Sequence, residues 1–354
     1  MTPDDAGGSR AIDPLVLAPN FKRRLSGVTS TIVQLVPLQA ERLPIVTLGP
    51  GLPAHLPRLS RRQFLRLWRR PRARPVRIWH ARRNVEMLAG LVLRDLLRAP
   101  LRLVFTSAAQ RRHTRWTRLL IGRMDAVIAT SQASAAYLER DASIVLHGID
   151  LTHFGAETGT TAPDPYLGHR VVGCAGRIRA SKGSDVFVEA MIELLPTRPD
   201  WIAVLTGRTT PEHRAFEGEL KSRIAAAGLS ERILFLGEVD DIAAWFRRFD
   251  LYVAPSRQEG FGLTPLEAMA SSTPVVASNA GAYPDIVEDG VTGRIVTAGD
   301  AKALAAAVAP LLDDAALRQR MGRAGLERAR GHFALEREAA EIEAVYEAVW
   351  AKVS

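Results

Sequence analysis

Short apolar runs typical of buried strands alternate with helical patterns along this chain, and they do so in two separate series. Six runs, beginning with Leu15-Val16-Leu17-Ala18, precede a stretch at residues 155–168 that is rich in Gly, Thr and Pro, and six more follow it. Alternation of this kind predicts βαβ units on a parallel sheet. The intervening stretch has no hydrophobic period and is predicted to be a linker. A chain of 354 residues is long enough for two such α/β domains.

Two carboxylates stand eight positions apart in Glu259-Gly260-Phe261-Gly262-Leu263-Thr264-Pro265-Leu266-Glu267. The apolar run before them, ended by Pro255, is typical of a buried strand, and a helical pattern follows the glycines. Loop amides and the positive N-terminus of that helix could hold a diphosphate, with one carboxylate on each side for sugar hydroxyls. The alternative is that Thr264 and Glu267 form only a capping box.

A second loop, Gly176-Arg177-Ile178-Arg179-Ala180-Ser181-Lys182-Gly183, follows the first apolar run of the second series. Two fixed cations, Arg177 and Lys182, could neutralise a leaving diphosphate, a task that many enzymes give to Mg²⁺. A solvated turn is the alternative interpretation. The loop is predicted at the carboxyl end of a strand, however, where open α/β sheets bind ligands.

These two loops resemble the G-R-x4-K-G and E-x7-E elements of the retaining glycosyltransferases of family 4. The resemblance implies an α/β fold of the GT-B type, with two Rossmann-like domains facing across a cleft. Residues 1–154 would bind the acceptor and residues 169–334 the nucleotide sugar, with the linker at 155–168 between them. Residues 335–354 have an amphipathic pattern, and the resemblance implies that this C-terminal helix crosses back to the first domain.

The resemblance also implies a role for each matching residue. Arg177, Lys182 and Glu259 would be catalytic, with the two cations on the departing diphosphate and the carboxylate on the sugar hydroxyls. The donor-binding residues would be Gly27, Gly176, Val239, Gly260, Phe261, Gly262, Leu263 and Glu267. Val239 would contact the nucleotide base. The alternative is that this segment only ends a strand at Gly237. No metal or other cofactor is expected, and the absence of an Asp-x-Asp motif disfavours a metal-dependent transferase of the single-domain type.

The first domain departs from the family at one position. Many relatives have a histidine just after the strand that here ends in Val104-Phe105-Thr106-Ser107, whereas the next histidine of this chain is His113. The sugar contact usually made by imidazole is therefore absent, moved to His113, or replaced by the hydroxyl of Thr106 or Ser107. His80, also predicted at a strand end, is a candidate acceptor contact or an ordinary structural histidine.

The segments Trp79-His80-Ala81-Arg82-Arg83-Asn84 and Phe105-Thr106-Ser107-Ala108-Ala109-Gln110-Arg111-Arg112 resemble the mannosyltransferases of lipopolysaccharide inner-core synthesis. That resemblance implies GDP-mannose as the donor and a lipopolysaccharide core, or another anionic glycolipid, as the acceptor. No nucleophile suited to a covalent intermediate stands out, so same-face substitution assisted by the leaving phosphate is expected. The alternatives are a transferase that uses a UDP-sugar and a sugar-nucleotide epimerase of the same fold, which would need no acceptor.

Positive charge is concentrated in the first half of the chain. From Arg58 to Arg123 there are 19 arginines, no lysine and only two acids, within a chain whose net charge is +9. Phe64, Leu67 and Trp68 lie at helical spacing among these arginines, which predicts a short interfacial helix on an anionic membrane surface. The alternative is a solvated basic helix whose apolar stripe packs on the core.

Other partners and compartments are less suited to the sequence. Nucleic acid is not expected as a partner, because the basic region lacks the interleaved aromatics of stacking platforms. The single cysteine, Cys174, excludes an intrachain disulfide and a Cys-based metal cage. The acidic N-terminus lacks the form of a secretory signal, and no apolar run reaches the roughly 18 to 20 residues of a membrane span. The expected location is the cytoplasm, on the inner face of the cytoplasmic membrane.

Overall fold

The structure is a computed structural model that describes residues 13–23, 27–155, 166 and 168–353. Twelve strands in these ranges form two six-stranded sheets, and neighbouring strands are parallel throughout both. All twelve strands were predicted from the sequence, and their ends agree within about two residues, the usual uncertainty of strand boundaries. The predicted α/β class with two Rossmann-like halves is therefore confirmed.

The first sheet has the strand order β2-β1-β3-β4-β5-β6. Its strands are β1 (Val16–Pro19), β2 (Ile45–Leu48), β3 (Arg77–Ala81), β4 (Leu101–Ser107), β5 (Ala126–Ala129) and β6 (Ser143–Ile144). The helices that accompany these strands in the chain are α1 (Gly27–Ala40), α2 (Arg61–Leu65), α3 (Asn84–Leu91), α4 (Arg115–Gly122), α5 (Gln132–Ala135) and α6 (Leu151–Phe154). A π-helical turn, Val92–Leu96, extends α3.

Side chains that alternate along these strands pack into two separate apolar clusters, as expected for a parallel sheet covered on both faces. Val16 of β1 and Ile78 of β3 belong to the cluster that also contains Ile32 of α1. Leu17 and Trp79, the next residues along the same two strands, belong to the other cluster. That second cluster also contains the inward side chains of α3 and α4, so these two helices cover the face opposite to α1.

The last helix, α14 (Leu335–Ala351), packs on the first sheet. Leu335, Ile342, Tyr346 and Val349 are buried in the same apolar cluster as α1. The Trp350 indole also donates a hydrogen bond of 2.9 Å to the carbonyl of Val76. The chain thus returns to the first unit after completing the second, as predicted for its C-terminal helix.

The second sheet has the strand order β12-β11-β10-β7-β8-β9. Its strands are β7 (Arg170–Ala175), β8 (Trp201–Thr206), β9 (Ile233–Gly237), β10 (Leu251–Ala254), β11 (Val275–Ser278) and β12 (Gly293–Val296). Its helices are α7 (Ser184–Leu194), α8 (Arg214–Ala226), α9 (Ile242–Arg248), α10 (Thr264–Ala270), α11 (Tyr283–Ile286), α12 (Ala301–Asp313) and α13 (Ala315–His332). Strands β7 and β10 are neighbours in this sheet. Because all its strands are parallel, the loops that follow these two strands emerge at the same, carboxyl edge of the sheet.

The boundary between the two compact units lies earlier than the predicted 154/155 division. Residues 147–154 pack with the second unit, which also takes in Ser131–Ala133. The physical reason is a set of local contacts: the Ile149 amide donates to the Phe333 carbonyl at 2.8 Å, and the Ser271 hydroxyl donates to the Phe154 carbonyl at 2.8 Å. Most of the predicted linker at 155–168 lies outside the described residues.

Candidate active site

The loops after β7 and β10 are joined by backbone hydrogen bonds at the carboxyl edge of the second sheet. The Ser181 carbonyl accepts from the amides of Arg257 and Gln258, at 3.0 and 3.1 Å. The Arg257 guanidinium binds both carboxylate oxygens of Asp185, at 2.7 and 2.8 Å, and also donates to the Ala180 carbonyl at 2.8 Å. These contacts bring the two sequence motifs together, although they are far apart in the chain.

Lys182 and Glu259 form an ion pair where the two loops meet. The same carboxylate oxygen, Glu259 Oε2, lies 3.3 Å from the Tyr283 hydroxyl and 3.5 Å from the Ser256 hydroxyl. The other, Oε1, accepts from the Gly260 amide at 3.2 Å. Burial raises the pKa of the Tyr283 hydroxyl well above its usual range, so this group stays protonated and donates to Glu259. These contacts hold the Glu259 carboxylate in one orientation.

Glycine is required beside Glu259 for lack of space. Gly262 has φ +81°, and a Cβ on it would lie 2.5 Å from Cγ of Glu259 and 2.4 Å from the Tyr283 ring. A Cβ on Gly281 would lie 2.8 Å from Cβ of Glu259. Tyr283 and Gly281 lie more than 20 positions after Glu259 in the chain, so their contact with it depends on the fold.

The backbone after Glu259 presents three donors. Within the described residues, the amides of Phe261, Gly262 and Leu263 donate to no acceptor. The Phe261 ring itself is buried and packs edge-on against His147, with centroids 4.9 Å apart. At Phe261 the backbone rather than the ring is therefore available to a ligand, and a run of free amides is suited to an anion.

Glu267 does not form the capping box that was one interpretation of the sequence. Helix α10 begins at Thr264, and its N-cap is Leu263, which has no side chain able to accept a hydrogen bond. In the part of the chain that the structure describes, no donor contacts the Glu267 carboxylate. Burial raises the pKa of this carboxyl to about 7, and the charge of Lys182 opposes that shift. An unsatisfied, partly desolvated carboxylate at this position is suited to a ligand that donates hydrogen bonds.

The remaining donor-side candidates lie at the same edge of the sheet. Gly176 follows β7, and its amide donates to the Thr206 carbonyl at 2.9 Å. Arg177 is exposed, and its side chain has no partner among the described residues. Val239 lies two residues beyond β9 and is half-buried. Gly27 belongs to the other unit, where it is the first residue of α1.

His80 is not available for the predicted acceptor contact. Its ring is fully buried, with Nδ1 2.6 Å from the Tyr346 hydroxyl and Nε2 2.7 Å from the Thr106 hydroxyl. Burial, with a smaller contribution from Arg82, lowers the pKa of His80 well below its usual value. His80 is thus a neutral structural residue that ties α14 to β3 and β4, and the Thr106 hydroxyl is committed to it.

His113 lies beside the end of β4, where relatives have their histidine. Its Nε2 is 3.5 Å from the hydroxyl of Ser107, and Ser107 is buried. Burial, with a smaller contribution from Arg111, lowers the pKa of His113. Of the three alternatives that the sequence left open, this position favours a displaced imidazole at His113.

A cluster next to β1 and β3 was missed by the sequence interpretation. The Arg83 guanidinium contacts Glu86 and Asn20 at 2.8 Å each and the Thr29 hydroxyl at 3.0 Å. Glu86 is fully buried and also accepts from the Arg82 amide at 2.8 Å. The cluster fixes the start of α1 against β3. Glu86 is one of only two acids between Arg58 and Arg123, and this rarity could have marked it in the sequence as the partner of an arginine.

The predicted interfacial helix differs from its expected form. α2 ends at Leu65, and Leu67 is buried in the apolar cluster under α3 and α4 rather than exposed. Phe64 and Trp68 are exposed and stack edge to face, with centroids 5.7 Å apart. Leu65, rather than Leu67, is the exposed leucine beside Phe64 and Trp68, because Leu67 is buried in the core.

Further exposed apolar side chains lie on the helices that cover this face of the first sheet. They follow a helical stripe along α3 and its π-helical turn, Val85, Leu88, Val92 and Leu96, and continue on α4 with Trp116 and Leu119. The Trp68 indole donates to the Leu97 carbonyl at 2.8 Å, which places α2 beside the end of that stripe. We call these residues, with Phe64, Leu65 and Trp68, the apolar–basic face.

Many of the surrounding arginines are uncommitted. Ion pairs neutralise several of the 19, including Arg77 with Asp13, Arg94 with Asp125 and Arg118 with Glu139. Among the described residues, the following have no side-chain partner: Arg61, Arg62, Arg66, Arg69, Arg70, Arg72, Arg98, Arg111, Arg112 and Arg115. Fewer arginines are thus free to bind an anionic partner than the 19 in the sequence, but those that are free lie beside exposed apolar residues.

The described residues contain neither a membrane-spanning helix nor a cluster of metal ligands. None of the helices combines the length and apolar character needed to cross a bilayer. Side chains of His, Cys, Asp and Glu nowhere gather in a group of three that could ligate a metal ion.

Comparison with known proteins identifies relatives over almost the whole chain. Residues 162–328 match the family described as glycosyl transferases group 1. The chain is 58% identical over 339 residues to the lipopolysaccharide core biosynthesis mannosyltransferase LpcC of Rhizobium leguminosarum bv. viciae, covering 94% of this chain and 96% of that protein. It is 55% identical over 347 residues to the corresponding LpsB of Rhizobium meliloti (strain 1021), covering 95% and 98%.

Solved structures support the fold over the same length. The structure of Anabaena Alr3699/HepE in complex with UDP and glucose matches with a TM-score of 0.77 at 20% identity, covering 94% of this chain and 99% of that one. The agreement confirms the predicted GT-B fold.

Proposed function

The chain belongs to the group 1 family of glycosyltransferases, and we propose that it transfers mannose from GDP-mannose to a lipopolysaccharide core or another anionic glycolipid. Two relatives that share more than half of its residues over nearly their full length are named as lipopolysaccharide core mannosyltransferases. The structural observation that supports transfer most strongly is the Lys182–Glu259 ion pair beside the amides of residues 261–263, which have no acceptor within the described chain.

The cations of the β7 loop are suited to a departing nucleoside diphosphate. Lys182 is partly exposed and anchored by Glu259, and Arg177 projects from the same loop without a partner among the described residues. Positive groups held in place before the reaction stabilise charge that develops on a leaving group without reorganisation. The unpaired amides after Glu259 add donors for a phosphate oxygen. In this proposal the residues do the work of a metal ion, so the enzyme is metal-independent.

The two carboxylates have different environments and are assigned different roles. Glu259 is held by Lys182 and Tyr283, so it can accept hydrogen bonds from hydroxyls of the transferred sugar in one fixed orientation. Glu267 has no donor in the described chain and titrates near neutral pH, so its oxygens can accept from the ribose of the nucleotide. Glu267 then contributes mainly to donor affinity.

The proposed reaction retains the configuration of the sugar. Glu259 is engaged by its neighbours and is not placed as a free nucleophile. The acceptor hydroxyl would attack from the face that the phosphate leaves. The bond from the anomeric carbon to the phosphate oxygen breaks as the new glycosidic bond forms, and the departing phosphate takes the hydroxyl proton.

A direct test is to incubate the protein with labelled GDP-mannose, UDP-glucose and UDP-N-acetylglucosamine, each with and without an anionic lipopolysaccharide-core acceptor. The proposal expects acceptor-dependent transfer from GDP-mannose, with the product in the configuration of the donor. Transfer from a UDP-sugar would replace the donor assignment. Release of nucleotide with an altered sugar and no need for acceptor would instead support an epimerase.

We place the protein at the inner face of the cytoplasmic membrane, as a peripheral protein. The apolar–basic face combines exposed aromatic and aliphatic side chains with uncommitted arginines. Apolar groups of this kind insert into the interface of a bilayer, and basic residues add about 1 kcal/mol each near an anionic leaflet. An anionic glycolipid acceptor would be concentrated by the same charge.

A further inference from the structure

An open cleft of about 610 Å³ lies in the first unit, between the carboxyl end of β2 and helix α2. Its walls are mainly apolar and include Leu48, Leu59, Phe64 and Leu65. Phe64 and Leu65 are 42% and 74% exposed, so the apolar lining is continuous with the apolar–basic face. A cleft of this volume is large enough for an organic ligand.

The polar side chains that line the cleft have hydrogen-bond partners within the described chain, with one exception. The Thr47 hydroxyl donates to the Pro57 carbonyl at 2.8 Å, and Arg58 donates to the Leu52 carbonyl at 2.6 Å. The Ser60 hydroxyl caps α2. Arg61 lines the cleft, is exposed, and has no partner in the described chain. The cleft therefore offers apolar walls and, among the described residues that line it, Arg61 as the cation without a partner, while Arg58 is anchored by a carbonyl.

This combination selects one class of ligand. A sugar or a nucleotide would need polar partners that the committed groups do not supply, and it would leave its own hydroxyls unpaired against leucine. A hydrocarbon chain is compatible with the walls, and Arg61 is suited to a phosphate or carboxylate attached to that chain.

We propose that the β2–α2 cleft binds an acyl chain of an anionic lipid, with the headgroup phosphate or carboxylate on Arg61. The inference rests on the proposed function, in which the protein works on anionic glycolipid at a membrane. It goes further, because it assigns a discrete lipid-binding site to this edge of the first unit rather than adsorption on a surface.

The test uses lipids below the concentration at which they form micelles, so that no bilayer is present. The probes are dihexanoyl phosphatidic acid, dihexanoyl phosphatidylcholine, and glycerol 3-phosphate as the headgroup without chains, with binding to the full chain measured by calorimetry. We expect saturable binding of the phosphatidic acid, about tenfold or more weaker binding of the phosphatidylcholine, and no binding of glycerol phosphate. A synthetic short-chain acylated glucosamine phosphate shows by its relative affinity whether the source is glycolipid or phospholipid.

Leu65→Glu and Leu96→Glu are a matched pair of variants, since the two leucines are 74% and 73% exposed and only Leu65 lines the cleft. Leu65→Glu is expected to raise the Kd for dihexanoyl phosphatidic acid at least about tenfold, while Leu96→Glu leaves it unchanged. Arg61→Gln is expected to remove the preference for the anionic headgroup, while Arg70→Gln, which changes an exposed arginine outside the cleft lining, retains it.

Three outcomes would overturn the site: no saturable binding of any short-chain lipid, equal loss with Leu65→Glu and Leu96→Glu, or glycerol phosphate binding as tightly as the lipid. The last would indicate a simple phosphate site. The measurement requires neither donor sugar nor vesicles, so its failure leaves the test of mannosyl transfer untouched. Failure of mannosyl transfer would likewise leave this binding measurable.

Discussion

Lys182 and Glu259, which are 77 positions apart in the chain, form an ion pair at the carboxyl edge of the second sheet. The pair exists because β7 and β10 are neighbours in the sheet and because Ser181 accepts hydrogen bonds from the loop after β10. Each residue holds the other in position for a donor. Replacement of either residue is therefore expected to displace the other.

Truncation of Glu259 tests its role in orienting the sugar. Glu259→Ala is expected to lower turnover about 100-fold or more, because a misplaced reacting group loses the advantage of orientation. The measurement is the initial rate at saturating GDP-mannose. Glu231→Ala, which changes an exposed carboxylate of the same unit, is the control and should keep full activity. A Glu259→Ala enzyme with normal turnover would contradict the assigned role.

The raised pKa of Glu267 makes the free energy of unfolding depend on pH in a definite direction. Its pKa in the folded protein is about 7, above the usual carboxyl value, so the folded state holds the proton more tightly than the unfolded state. The associated stability is present at low pH and is lost as pH rises from about 4.5 through 7. Glu267→Gln is expected to become more stable than the native chain above pH 7, by about 1–3 kcal/mol.

Urea unfolding of both forms at pH 5 and pH 8 checks this difference. If the carboxylate also binds ribose, nucleotide affinity should increase between pH 6 and pH 8 in the native protein, and Glu267→Gln should abolish the increase. A variant that loses stability at every pH while keeping its donor affinity would show that Glu267 has only a structural role.

The proposed metal independence rests on Arg177 and Lys182. Arg177→Ala is expected to cost about 2–4 kcal/mol of transition-state stabilisation, measured as kcat/KM, while EDTA leaves the native activity nearly unchanged. Arg320→Ala, an exposed arginine on α13, is the matched control. A strict requirement for Mg²⁺ or Mn²⁺ would refute this part of the proposal.

His80 is expected to contribute to folding rather than to acceptor binding. His80→Leu leaves the hydroxyls of Tyr346 and Thr106 without their partner and should lower the free energy of unfolding by about 2–4 kcal/mol. His55→Leu, which changes an exposed histidine of the same unit, should have little effect. The pKa of His80 is lowered in the folded protein, so its contribution is lost as pH falls below about 6.5.

Equilibrium unfolding between pH 5 and pH 8 measures both effects on stability. Binding of GDP-mannose to the second unit should remain normal in folded His80→Leu protein. An unchanged unfolding free energy together with a raised acceptor KM would show that His80 does contact the acceptor.

Membrane association is tested by replacing Trp68 with Ala and Arg61, Arg62, Arg69 and Arg70 with Gln. The native protein should bind anionic vesicles at low salt and dissociate as salt shortens the Debye length, whereas the variant should not bind. The control removes four charges elsewhere, with Arg214, Lys221, Arg320 and Arg323 changed to Gln. Cosedimentation with neutral and anionic vesicles is the measurement. Equal partitioning onto both, or onto neither, would rule out the proposed role.

The sequence by itself determined the local features of this protein. Strand positions follow from short apolar runs, so the sheets and the two loops at strand ends that carry Arg177, Lys182 and Glu259 could be predicted, while the roles of these residues stay a prediction. These features depend on neighbours in the chain, which periodicity and turn chemistry report directly.

Only the tertiary structure decided which side chains are committed to each other. The sequence suggested His80 and Thr106 as ligand contacts, but in the fold they bond to each other, and Tyr346 of the last helix takes the other ring nitrogen of His80. Leu67 looked exposed by its helical spacing but is buried, and residues 147–154 joined the second unit. Each of these outcomes depends on partners distant in the chain, because burial and hydrogen-bond satisfaction are properties of the packed molecule and have no local signature in the sequence.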